Sequence, residues 1–153
     1  MSARSITRAI PLIAALFMAA TAAFAGATVT AAGDLQIPKK EITANATFYQ
    51  YKVGKVLIEV LALRAPDGTI RTAFNTCQVC YSSGRGYYKQ VGDRLVCQNC
   101  GNRFLASQVE IIKGGCNPIP ITKDLKTETA DTITISKALL EEAAPLFLKW
   151  KTR

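Results

Sequence analysis

Two short runs, Thr76-Cys77-Gln78-Val79-Cys80-Tyr81 and Val96-Cys97-Gln98-Asn99-Cys100-Gly101, carry four of the five cysteines of this 153-residue chain. Sixteen residues separate the two pairs, and fifteen more lead to the last cysteine, in Gly114-Gly115-Cys116-Asn117-Pro118. A doubled C-x-x-C at this separation matches a four-thiolate metal site. Two intervening residues let both sulfurs of a pair face one ion while backbone N–H groups point at them, and two such knuckles complete a tetrahedron. Gly101, directly after Cys100, suits a knuckle that needs a left-handed residue. Between the pairs, Tyr87-Tyr88 and Leu95-Val96 flank Gly92-Asp93, which predicts a hairpin carrying the second knuckle.

The alternatives for these sulfurs are disulfides and a redox-active dithiol. Exported cysteines pair by default, but five is an odd number, and a bridge inside each C-x-x-C would close only a tiny loop. A reactive dithiol wants an electropositive position, usually at a helix N-terminus, and neither pair is followed by a helical pattern. Magnitudes favour metal: a structural thiolate site contributes on the order of 10 kcal/mol or more to folding, a disulfide ~2–4 kcal/mol. The Cys77 to Cys116 segment, with six glycines and few apolar runs, needs the larger contribution. Histidine is absent and both methionines lie in the first 20 residues, so histidine-based catalysis and covalent haem attachment are excluded. Between Arg71 and Lys113 six basic residues face Asp93 and Glu110, an excess expected to offset thiolate charge and lower thiol pKa values. Cys116 exceeds a tetrahedral set. It either replaces a knuckle cysteine, serves a second ion, pairs with another chain, or is a small buried residue.

Upstream, Arg4 and Arg8 precede an uncharged apolar run from Ile10 to Ala25 ending Ala23-Phe24-Ala25, which reads as a signal peptide over residues 1–25, with an uncleaved anchor as the alternative. The removed piece holds two basic and no acidic residues, so the net charge falls from +8 to +6. Export places the protein in the periplasm or another extracytoplasmic space, and makes nucleic acid an improbable partner for its basic residues. Residues 26–43 show neither helical nor alternating period and read as a flexible leader. The cysteine-rich metal-binding domain is assigned to residues 44–153. Its β-formers cluster at Phe48–Tyr51, Lys55–Leu63 and Thr69–Phe74, with Pro66-Asp67-Gly68 as a turn, predicting a three-stranded meander. Thr132–Ile135 predicts a further strand, and Ser136 caps a helix from Lys137 towards Leu148, with Leu139, Leu140, Ala143, Phe147 and Leu148 inward and Pro145 interrupting it. The fold class expected is a small α+β domain: mainly antiparallel strands, zinc-ribbon or rubredoxin-like cysteine knuckles, and a C-terminal helix.

The run Arg71-Thr72-Ala73-Phe74-Asn75-Thr76-Cys77-Gln78-Val79-Cys80-Tyr81, then Gly86-Tyr87, Val96-Cys97-Gln98-Asn99-Cys100-Gly101 and Gly114-Gly115-Cys116-Asn117-Pro118, resembles the FtrD-like family of membrane iron-sulfur-containing proteins. The likeness runs from about Phe48 to the C-terminus. It implies an iron or iron-sulfur centre exposed to the periplasm, with Cys77, Cys80, Cys97, Cys100 and Cys116 as metal-binding positions. It also implies electron transfer or iron handling in a bacterial iron-uptake system, with that system's membrane components or periplasmic redox proteins as partners. Many relatives carry a multispanning membrane part, whereas only the signal-like segment is hydrophobic enough here. From the residues alone the reading stops at a thiolate metal site, for which zinc serves equally well, leaving a structural zinc-ribbon module or a thiol-disulfide oxidoreductase as alternatives. A chain threaded unfolded across a membrane carries no preassembled cluster, which favours a single ion bound afterwards. No acid-base or nucleophile constellation marks the chain as an enzyme.

Overall fold

A computed structural model describes residues 26–152; residues 1–25, read from the sequence as a signal peptide, lie outside the described residues. In chain order the strands are β1 (Thr28–Val29), β2 (Leu35–Pro38), β3 (Thr47–Val53), β4 (Val56–Arg64), β5 (Ile70–Cys77), β6 (Tyr88–Val91), β7 (Arg94–Cys97), β8 (Arg103–Leu105), β9 (Pro118–Pro120), β10 (Thr127–Glu128) and β11 (Thr132–Ile135), followed by one helix, α1 (Lys137–Ala143). They form three antiparallel sheets with the orders β1-β2-β11-β10, β3-β4-β5-β9 and β6-β7-β8. The small antiparallel domain with one C-terminal helix and knuckled cysteines is therefore the observed architecture.

The sheet β3-β4-β5-β9 is the middle layer. Ile58, Val60 and Ala62 of β4 pack with Tyr49, Tyr51, Phe74, the first sheet and the helix. Leu61 and Leu63, pointing the other way, pack with Leu95, Phe104 and Val109 of the cysteine-bearing layer. Burial on both faces explains why β4 reads as a continuous apolar run rather than an alternating one. It also answers how a glycine-rich cysteine segment acquires a core, since Leu61 and Leu63 of β4 and Ala73 of β5 complete it.

Residues 26–43 are not the flexible leader that the sequence suggested. Leu35 and Ile37 are fully buried opposite Ile135 and Ile133, so β2 joins β11 in the first sheet, and Ile42 closes the same core. Only two apolar positions alternate here, between Asp34 and Pro38, too short a period to stand out from the surrounding Ala, Thr and Gly. The helix starts as expected, with the Ser136 hydroxyl accepting from Leu139 N. At Pro145 it tightens into a 3₁₀ turn over Ala144–Phe147. That tightening rotates the following residues, leaving Leu148 68% exposed, contrary to its expected inward position, and Trp150 only 8% exposed. The Trp150 indole then donates to the carbonyl of Asn75, 2.9 Å away in the middle layer. Among the described residues no helix is long and apolar enough to cross a membrane.

Candidate metal centre

Three chain segments deliver the sulfurs. Cys77 ends β5 and opens the first knuckle, where its N–H donates to Gly86 O at 2.6 Å and the Cys80 N–H points at Cys77 Sγ at 3.4 Å. Gly86 passes so close to the Cys80 carbonyl that a β-carbon there would overlap it, which is why no larger residue fits. The second knuckle sits at the end of β7, with Gly101 N bonded to Cys97 O and Gly101 at φ +75°. The β6-β7 hairpin about Gly92-Asp93 pairs Tyr88 with Cys97 and hangs the second knuckle beside the first, as the sequence predicted.

Cys116 arrives by tertiary pairing. Pro118 lies opposite Cys77 where β9 joins the edge of the middle sheet, a position that tolerates prolines because the outer side needs no donor. Asn102 of the second knuckle donates to Cys116 O at 2.8 Å. The loop leading to Cys116 is anchored by Glu110, whose carboxylate accepts from Thr72 N at 2.6 Å and from Lys126 Nζ at 2.6 Å. The Lys126 side chain is 1% exposed and that of Glu110 10%, so this pair is shielded from solvent.

All five cysteines converge. The sulfurs of Cys77, Cys80, Cys97 and Cys116 lie within 4.8 Å of one another. Cys116 Sγ is 3.1 Å from Cys77 Sγ and 3.9 Å from Cys80 Sγ. Cys100 Sγ, on the exposed side, is 2.7 Å from Cys116 Sγ. Thus the fifth cysteine enters the compact foursome and Cys100 stands at its solvent edge, an exchange that spacing alone left open. An all-sulfur donor set of this size fits a thiophilic ion: with metal–sulfur bonds of ~2.3 Å, tetrahedral sulfurs stand about 4 Å apart.

Thiol acidities follow from burial and hydrogen bonding. Burial opposes ionisation of Cys77, but donation from Tyr88, Cys116 and the amides of Cys80 and Val79 outweighs it, so this thiol is more acidic than usual. Burial pushes Cys80 up and raises Cys97 to about 11. Cys116 is also raised, by burial and by acting as donor to Cys100, Cys77 and Cys97. Donation from Cys116, then from the Asn102 amide, lowers Cys100 to about 7. No lysine or arginine donates to a sulfur among the described residues; Arg71 is paired with Asp67 and Arg94 with Asp93. The expected charge effect of the basic residues is therefore replaced by hydrogen bonds. One consequence is selective labelling: in metal-free, reduced protein, iodoacetamide should alkylate Cys100 first. Below pH 7 its rate should fall about tenfold per pH unit as the thiolate is protonated, because only the thiolate attacks. Peptide mapping by mass spectrometry checks both.

Two residues essential to this arrangement escaped the sequence reading. Asn75, buried two residues before Cys77, accepts from Tyr88 N at 2.8 Å and donates to Tyr88 O at 3.3 Å and to Glu59 Oε1 at 2.7 Å. Glu59, also buried, is met in turn by Lys151 Nζ at 3.3 Å. A lone Asn in a strand and a Glu in an apolar run carry no sequence signal beyond being polar where the period is apolar.

No curated protein and no solved structure matches the chain. Residues 42–147, which contain all five sulfurs and both faces of the middle sheet, match the family model described as "Membrane iron-sulfur containing protein FtrD-like". That match covers well over half of the chain, and the protein belongs to the FtrD-like family.

Proposed function

We propose that the protein is an exported, thiolate-ligated iron protein that passes electrons or iron within a bacterial iron-uptake system. The convergence of Cys77, Cys80, Cys97 and Cys116, with Cys100 at the solvent edge, is the observation that carries this reading. The family's description as iron-sulfur containing supports iron over zinc. The short spacing of the sulfurs supports one iron held by four thiolates, since a cluster distributes its thiolates over several irons and sets them wider apart. When bound, such an iron supplies one-electron exchange at a potential set by its surroundings.

The chain's own residues do the rest. Cys77, Cys80, Cys97 and Cys116 would hold the ion, and the amide of Cys80 already faces Cys77 Sγ. Leu61, Leu63, Leu95 and Phe104 keep water from the inner side, while Cys100 leaves the outer side open to a partner. That partner is a membrane component of iron uptake or a periplasmic redox protein. The family's description as membrane protein supports attachment through the N-terminal segment. Protein purified anaerobically from its own host should contain stoichiometric iron by elemental analysis and show visible absorption that dithionite bleaches. A colourless protein holding stoichiometric zinc would overturn the reading in favour of a structural zinc module.

A further inference from the structure

We propose that Tyr88 tunes the centre by donating its phenolic hydrogen to the sulfur of Cys116. The inference rests on the thiolate-centre reading and assigns a positioning residue to it. Tyr88 is among the largest fully buried side chains of the protein. Its hydroxyl oxygen lies 4.0 Å from Cys116 Sγ and donates towards it. No oxygen or nitrogen partner reaches this hydroxyl among the described residues. Buried tyrosine hydroxyls find partners, and among the described residues the partner here is the Cys116 sulfur. A phenylalanine would fill the same core equally well, so the hydroxyl has no packing role.

The ring is held in place from behind. Tyr88 sits opposite Cys97 in the β6-β7 hairpin, and the Asn75 carboxamide grips both its N–H and its carbonyl. Asn75 in turn precedes Cys77 on β5, so the donor is fixed to the strand that opens the first knuckle. A hydrogen bond to a thiolate draws electron density from the sulfur and stabilises the more electron-rich, reduced form of a metal centre. Tyr88 therefore holds the potential higher than the same sulfurs would set without it, and it does so on the buried side, away from Cys100.

The test uses cobalt(II), which any thiolate site accepts and which reports the sulfurs directly through a sulfur-to-metal charge-transfer band. In full-length protein Tyr88→Phe should shift that band to lower energy, and should lower the midpoint potential of the iron-loaded form, with a cooperative melting transition retained. Replacing the Tyr88 phenol with a fluorinated phenol, a stronger donor, should move the band and the potential the opposite way. This second variant keeps the donor in place and decides the matter if Tyr88→Phe fails to fold. An unmoved band and potential in a folded variant would overturn the assignment of Tyr88 while leaving the metal centre standing. Failure of wild-type protein to take up cobalt would overturn both.

Discussion

Serine in place of Cys116 is expected to empty the centre, whereas serine in place of Cys100 is expected to leave metal bound. Cys116 Sγ touches Cys77, Cys80 and Cys100 at 3.1, 3.9 and 2.7 Å and belongs to the group whose sulfurs all lie within 4.8 Å. Cys100 is exposed and lies at the edge of that group. Losing a supporting hydrogen bond around a metal costs about 10–100-fold in affinity, and loss of a whole sulfur ligand from a set of four should exceed that. Elemental analysis after gel filtration distinguishes the variants. If the Cys100→Ser protein came out empty and the Cys116→Ser protein loaded, the two C-x-x-C pairs would form the tetrahedron by themselves, and the position of Cys116 would have another purpose.

The second large effect is expected at Asn75, remote from any sulfur ligand role. Asn75→Ala removes the acceptor of Tyr88 N–H and the closest donor to the Glu59 carboxylate, both in the buried junction between the middle sheet and the cysteine hairpin. An unsatisfied buried polar group costs about 1–3 kcal/mol, more when charged, so a loss of about 2–4 kcal/mol in urea unfolding is expected. Lys151 and Gln50 remain near Glu59 at 3.3 and 3.4 Å and limit the penalty. The released hairpin should also give up its metal faster to a chelator. Wild-type stability with unchanged metal release would show that the hairpin is held by Leu61, Leu63 and Leu95 alone.

Local order along the chain was legible where a residue type acts through its neighbours. Pro66-Asp67-Gly68 turns the chain between β4 and β5, Gly92-Asp93 turns it between β6 and β7, and Ser136 caps the helix, since each acts through bonds within a few residues. The same locality explains the two errors near the ends. Leu35 and Ile37 find their buried partners in Ile135 and Ile133, nearly a hundred residues later. Leu148 is turned outward because Pro145 tightens the helix into 3₁₀ form just before it.

From its sequence alone the protein was legible as a cysteine-rich β domain, because two cysteines separated by two residues can turn towards one ion when the intervening backbone folds into a knuckle. Which four of five sulfurs stand closest, and which hydroxyl reaches Cys116, was decided only in three dimensions. Cys116 is carried to Cys77 by the pairing of β9 with β5, and Tyr88 is locked beside both by a carboxamide from the neighbouring strand. Contacts between residues far apart in the chain depend on the packing of whole layers, and the spacing of residues along one strand does not encode that packing.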